Sequence, residues 1–276
     1  MKNISRLLAH SGLVLSILLT AAPANAEQTD KLASIVAGKH RSEESSARDQ
    51  YRHPIETLNF FGIKDTMTVI EITPGGGWYT EILAPFLKDN GLYIAAGYDP
   101  QSEKNYFKNK AIQFQSKLDA NPEVYGKTQT SIMQAPDKLN FAKADSADMI
   151  LSFRNTHNWH RSGSSEAVYT AIFKALKPGG VFGLVQHRAG HHFPLDTSGK
   201  MGYLKQSEIA KLAKKVGFKL VERSDINANP NDKRDYEKGV WTLPPSYRLK
   251  DQDREKYKAI GESDRMTLKF VKPHKF

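Results

Sequence analysis

Val69-Ile-Glu71-Ile-Thr73-Pro-Gly75-Gly76-Gly77-Trp-Tyr-Thr80 is the stretch on which the fold turns. Residues 66–73 read as a buried strand, with Met67, Val69, Ile70 and Ile72 ended by the glycines. Residues 78–87 then carry Ile82, Leu83 and Phe86 at helical spacing. A glycine turn between strand and helix lets backbone approach a ligand, with N–H groups of the helix start facing it. The dinucleotide pattern Gly-x-Gly-x-x-Gly fails, because from Gly75 the third glycine falls on Thr80. No Lys-Ser or Lys-Thr follows, which excludes the phosphate loop of nucleotide hydrolases. A tight turn packed by Trp78 and Tyr79, with no ligand, is the competing reading.

Outward from this turn the pattern recurs. Strands are expected over 91–97, 129–134, 147–153, 181–187, 218–226 and 266–271, and helices over 101–118, 164–176 and 203–216. Lys177-Pro-Gly-Gly180 reads as a helix stop. Such alternation predicts an α/β fold with a mostly parallel sheet. No clear helix separates the last two strands, so the final pair is expected to be antiparallel. Residues 227–262, polar and carrying Pro230, Pro244 and Pro245, read as a long excursion near the sheet edge. Upstream, Ser42 suits a helix cap, and Pro54 opens a helix with Ile55, Leu58 and Phe61 in phase, ended by Gly62. There is no repeat and no linker-like break. The chain reads as one domain, residues 63–276, behind a helical extension, 27–62.

The start of the chain reports a compartment. Lys2 and Arg6 precede an apolar run of ten, Leu13 to Ala22, then Pro23 and Ala24-Asn25-Ala26. This reads as a signal peptide over 1–26, cut after Ala26, and hence as an exported, periplasmic protein; an uncleaved anchor is the alternative. No later segment approaches the ~18 apolar residues of a membrane span. The 276 residues carry 40 Lys+Arg against 30 Asp+Glu, a net charge of +10. Cleavage removes Lys2 and Arg6 but no acid, leaving +8. The lysines are scattered, so a solvated surface is expected and no nucleic-acid partner. The absence of cysteine excludes disulfide scaffolds, thiolate metal sites, cysteine nucleophiles and lipid anchors on Cys.

The glycine stretch resembles the first motif of class I S-adenosylmethionine-dependent methyltransferases, an acid followed by glycines at alternate positions. The resemblance makes Glu71 the acid, with Gly75 and Gly77 the last two glycines, Gly76 between them and Thr73 in place of the first. It places a ribose-binding acid after the second strand, where Asp99 stands 22 residues past Gly77. Gln134-Ala-Pro-Asp137 stands where the family carries an acid near the adenine. The resemblance runs on through Asp148-Met-Ile-Leu-Ser-Phe and Ala175-Leu-Lys-Pro-Gly-Gly-Val-Phe-Gly-Leu-Val to the final strand pair. It implies a doubly wound, Rossmann-like seven-stranded sheet with an antiparallel final strand, S-adenosylmethionine as cofactor, and a small-molecule or envelope acceptor. A narrower match is carried by Arg48-Asp-x-x-Arg52-x-Pro54, Pro74-Gly-Gly-Gly-Trp-Tyr-Thr and Phe153-Arg-Asn-x-His157-Asn-Trp159. These resemble a group of exported, predicted methyltransferase-like proteins of bacteria. Methyl transfer chiefly needs alignment of donor and acceptor. Glu71 and the faces of Trp78 or Tyr79 suit the neighbourhood of a cation.

Two polar loops follow adjacent strands: Arg154-Asn155-Thr-His157-Asn-Trp159-His160 and Gln186-His187-Arg188-Ala-Gly-His191-His192. Open α/β sheets place ligands at such strand ends. His157 or His187 is the candidate base, and Arg154, Asn155, Trp159 and Arg188 the candidate substrate contacts, the arginines for a carboxylate or phosphate. Arg48 and Arg52 are placed either at the same mouth or in a surface salt bridge. A three-histidine metal centre drawn from His157, His160, His187 and His191 is a further reading. A histidine after a strand also serves simply to cap a loop. Two functions therefore stand beside methyl transfer: a binding protein that kept the fold and lost the reaction, and a histidine- or metal-assisted hydrolase or lyase.

Overall fold

The structure, a computed structural model, describes residues 22–190 and 199–274. Most of the expected signal segment, His191 and His192 lie outside the described residues. The helices α1 (Ala22–Val36), α2 (Glu43–Ser46), α3 (Asp49–Arg52) and α4 (Pro54–Phe61) come first. Then follow β1 (Thr68–Ile72), α5 (Thr80–Leu87), β2 (Leu92–Gly97), α6 (Asn105–Ala120), α7 (Pro122–Tyr125), β3 (Gln129–Ile132) and β4 (Ala147–Phe153). The second half holds α8 (Thr156–Arg161), α9 (Ser165–Ala175), β5 (Leu176–His187), α10 (Gln206–Val216), β6 (Lys219–Ser224), α11 (Arg254–Ile260) and β7 (Arg265–Val271).

The seven strands form one sheet in the order β3-β2-β1-β4-β5-β7-β6. Neighbours from β3 through β5 are parallel. β7 runs antiparallel to both β5 and β6, so the expected antiparallel close is present. The central strands β1, β4 and β5 were legible because a parallel sheet is covered on both faces and its inner strands are apolar runs. Ile70, Ile72, Ile150, Phe182 and Leu184 bury on one face against α9 and α10, and Val69, Met149 and Leu151 on the other against α4 and α5. α4 presses so closely that a Cβ on Gly183 of β5 would meet Leu151 at 2.7 Å and Phe61 at 2.8 Å.

Three features differ from expectation. β5 begins at Leu176, so Lys177-Pro-Gly-Gly180 is strand; Ala147 pairs with Leu176 and the register slips before Met149. α8, missed in the sequence, follows β4 after only Arg154 and Asn155. The segment 227–262 is no edge excursion. It carries a 3-10 turn (Gly239–Thr242), α11 and a small core of Tyr236, Leu243 and Tyr257, and it closes over the C-terminal ends of the strands. The N-terminal helices belong to the same body: Leu32 of α1 is fully buried with Leu58 and Phe86. Lys31 reaches Asp65 at 2.7 Å, and Ser42 caps α2 as expected. Among the described residues, no helix is long and apolar enough to cross a membrane.

Candidate active site

In this sheet the order in which strands are added reverses between β1 and β4, and a crevice opens beyond their carboxyl ends. Thr73 leaves β1 with φ 53°, a left-handed conformation that a β-branched residue rarely takes. Its N–H is tied to the Ala96 carbonyl at 2.8 Å. Gly75 and Gly77 are also left-handed, at φ 61° and 77°. A Cβ added to Gly75 or Gly76 meets nothing within 4 Å, whereas on Gly77 it would meet Phe114 at 3.2 Å. The turn thus keeps Gly77 against α6 and leaves two glycines facing open space. That space is a cleft of about 1110 Å³.

The cleft has two halves. One is walled by Thr73 to Gly76, then Tyr98 after β2, Met133, Ala135 and Pro136 after β3, and Phe153 of β4. Apolar Met133 and Ala135 stand where an acid was sought. The other half is walled by Arg154, His157, Trp159, His187, Trp241, Glu262 and Ser263, with Arg48, Arg52 and Trp78 from the N-terminal side. All three tryptophans of the chain line the cleft.

His157 is buried and His187 is half-buried on the cleft wall. Burial, opposed only by the Gln186 hydrogen bond, pulls His157 down to about 4. Burial first, then the neighbouring His157 and Arg154, pulls His187 well below its usual range. Both are therefore neutral at physiological pH. With Gln186 Nε2 donating to His157 Nδ1 at 3.3 Å, His157 carries its proton on Nε2 and presents a donor. His187 Nδ1 pairs with the Ser263 hydroxyl at 2.5 Å, which can donate or accept, so His187 retains both tautomers. Of the two, His187 is the one able to offer a bare nitrogen to a proton.

The floor of this half is a charge cluster in which Arg48, Arg52 and Arg154, candidates for this mouth in the sequence, meet Glu262 and Arg265, which the sequence reading missed. Glu262, 3% exposed, accepts from Arg48 Nε at 2.6 Å and Arg265 Nη2 at 2.6 Å. Arg52 Nε lies at 3.4 Å and Arg154 Nη1 at 3.8 Å. Burial pushes the Glu262 carboxyl up, but the four guanidiniums outweigh it and hold it well below the usual carboxylate range.

The description "Methyltransferase domain" fits residues 44–223 of this sequence. The chain belongs to that methyltransferase-domain family. The glycine turn and both histidine loops fall within the matched stretch. Similar solved structures include a SAM-dependent methyltransferase from Aquifex aeolicus, at TM-score 0.53 and 11% identity, over 88% of this chain and 98% of that one. Phosphoethanolamine N-methyltransferase 2 of Haemonchus contortus matches at TM-score 0.55 and 16% identity, over 81% of this chain and 53% of that one. The [4+2]-cyclase SpnF matches at TM-score 0.57 and 13% identity, over 91% and 96%.

Within this methyltransferase domain the sequence-predicted residues divide. Thr73, Gly75, Gly76, Arg154, Asn155, His157, Trp159 and His187 come together on the cleft. Asn155 also bolts its edge: Nδ2 lies 3.1 Å from the Ile72 carbonyl and 3.3 Å from those of Thr73 and Phe153, tying β1 to β4. Glu71 is turned into the core, where Tyr93 donates to it at 2.5 Å and Thr80 at 3.3 Å. Burial pushes its carboxyl up to about 7. Tyr79 stacks on Phe153 with centroids 3.5 Å apart, and its hydroxyl points to the Arg52 carbonyl at 3.4 Å. The Asp99 carboxylate is taken by Lys138 and by the Gln101 N–H at 2.8 Å, which hold it below its ordinary value. Arg188 is turned away from the cleft and paired with Asp264 at 2.9 Å and Asp225 at 2.5 Å. Among the described residues, no group of three His, Asp or Glu stands close enough to hold a metal ion.

Proposed function

We propose that this protein is an S-adenosylmethionine-dependent methyltransferase acting on a small-molecule acceptor outside the cytoplasm. The observation that carries the reading is the glycine turn, whose Gly75 and Gly76 leave open space where any side chain would intrude. It sits at the sheet reversal, beside a second half-cleft large enough for another reactant. The residues present fit the donor: an open backbone turn for its amino-acid end, and Tyr98 with the apolar wall of Met133, Ala135 and Pro136 for its nucleoside end. Bound there, the donor supplies an electrophilic methyl group on a cationic sulfur. The protein's own contribution is chiefly alignment, worth most when donor and acceptor are held in line. His187, neutral at physiological pH, takes the acceptor's proton, and the His157 N–H orients an acceptor atom. Among the similar folds, the phosphoethanolamine enzyme is named for a small acceptor, which supports the same class here.

Titration calorimetry with S-adenosylhomocysteine is expected to give micromolar affinity. Gly76 has an ordinary backbone conformation and an unobstructed Cβ direction, so Gly76→Leu is expected to fold as the parent does. It should weaken the nucleoside at least tenfold, roughly 1.4 kcal/mol. No binding to the parent protein at millimolar ligand refutes the reading.

Export rests on Lys2, Arg6, the apolar run and Ala24-Asn-Ala26. Intact mass of the protein from a periplasmic extract is expected to begin at Glu27. A full-length mass in the cytoplasmic fraction alone rules export out.

A further inference from the structure

The floor of the second half-cleft carries more positive charge than the described residues neutralise. Four guanidiniums, Arg48, Arg52, Arg154 and Arg265, surround one carboxylate, Glu262. They are not equally occupied. Arg265 donates to Ser263 O at 3.1 Å, Tyr51 O at 3.3 Å and Glu262 at 2.6 Å, which makes it a structural member. Arg48 is committed to Glu262 at 2.6 Å. Arg52 is different. Its side chain is 2% exposed, it lies 4.5 Å from the Trp78 ring, and its Nη1 has no hydrogen-bond partner among the described residues. Arg154 is different again. Among the described residues its one ion pair is at 3.8 Å, beyond hydrogen-bond reach, and its side chain is about a quarter exposed, toward the cleft. Its backbone is held left-handed, φ 64°, at the last turn out of β4. Strain of that kind persists where a side chain must be aimed.

Among the described residues, the other carboxylates on the cleft wall do not redress the balance. Glu81 is spent on Lys117 at 2.6 Å and Arg41 at 3.6 Å, and Glu44 sits on exposed α2 at the rim. An unpaired, buried guanidinium donor is among the least tolerable groups in a protein, and its planar fork matches a carboxylate or phosphate. We propose that Arg52 and Arg154 form the seat of an anionic group on the methyl acceptor, a carboxylate or a phosphate. This rests on the methyltransferase reading and adds the acceptor's class to it. The charge balance gives the seat a second consequence. A cationic sulfonium enters a floor with a three-charge excess unfavourably, and an anionic acceptor offsets that excess. Donor and acceptor therefore favour each other.

The test uses the purified protein and its own tryptophans, all three of which line the cleft. Inorganic phosphate is titrated at constant ionic strength, and S-adenosylhomocysteine is titrated separately. The expected result is a saturable millimolar phosphate response, weakened at least tenfold in Arg154→Gln and less in Arg154→Lys, which keeps the charge but not the fork. Nucleoside affinity should stay within about twofold in both. Arg223→Gln, an exposed residue on the far edge strand β6, makes the same charge change and should leave phosphate binding unaltered. Arg52→Gln provides a second variant should Arg154→Gln lose its native circular dichroism. No saturable phosphate response, or an equal loss in Arg223→Gln, overturns the seat. Loss of nucleoside binding together with phosphate overturns it differently: the guanidiniums then hold the donor's own carboxylate. Phosphate binding without any nucleoside binding leaves the seat standing and removes the methyltransferase reading beneath it.

Discussion

Replacing Glu262 by glutamine is expected to destabilise the protein by about 3–5 kcal/mol, the usual cost of removing one partner from a buried ion pair. Urea denaturation reads it directly. The size follows from who is left behind. Arg48 and Arg154, with side chains 20% and 26% exposed, regain water when the carboxylate goes. Arg52 and Arg265, at 2% and 3%, do not. Two buried guanidiniums then face one another's charge with only an amide between them. Because the arginines hold Glu262 well below the usual carboxylate range, its contribution is fully present above the pH at which an ordinary glutamate titrates, and is lost progressively only as the pH falls below that point. The loss in the glutamine variant should therefore be as large at pH 5 as at pH 8. Phosphate at fixed ionic strength should restore part of it, which chloride should not. A loss under about 1 kcal/mol would mean that the four arginines are satisfied without Glu262, and would remove the charge excess on which the anion seat depends.

Glu262 also marks where the sequence was hardest to read. β1, β2, β4 and β5 were legible because each carries an apolar run that needs no partner to be recognised, whereas β3 is a short polar strand at the sheet edge. The glycine turn was legible because Gly75 and Gly77 are demanded by local geometry, both being left-handed. Glu262 lies in a polar stretch with three prolines and carries no motif. Strand polarity held a usable signal. β7 is antiparallel, so it begins where the parallel strands end, and His187 of β5 pairs with Arg265 of β7. Residues just before an antiparallel final strand must therefore stand at the ligand-binding rim. Glu262 and Ser263 follow from that rule once the last strand pair is taken as antiparallel. Arg188, one residue beyond His187, went the other way because alternate residues leave a strand on opposite faces. Its partners Asp225 and Asp264 come from distant segments that no local pattern connects. Glu71 shows the same limit: its place in the motif is local, but its burial against Tyr93 and Thr80 depends on β2 and α5 packing together.

That burial gives an expected pH response with two opposed parts. Glu71 is held near 7 in the folded protein against 4.5 for an ordinary glutamate. Between those values the folded chain binds the extra proton, so its contribution to stability falls as the pH rises, by about 3 kcal/mol in all. His157 is held near 4 against 6.5. Between those values the unfolded chain binds the extra proton, so stability rises with pH, again by about 3 kcal/mol. At 3% and 5% exposure, neither group has solvent to screen the effect away. The two slopes overlap between pH 4.5 and 6.5 and oppose one another there; the depressed basicity of His187 adds to the rising part. Single variants should separate them. Glu71→Gln keeps an acceptor for the Tyr93 hydroxyl and removes the falling part, so its urea midpoint should climb steeply from pH 4.5 to 6.5 and hold level to pH 8. His157→Gln removes one rising part, so its midpoint should lie above that of Glu71→Gln at pH 4.5 and fall below it by pH 8. Parallel midpoint curves for the two variants would show that neither group titrates as its burial requires. The imidazole that lines the cleft and the carboxyl that backs the glycine turn would then both be as wet as ordinary surface groups.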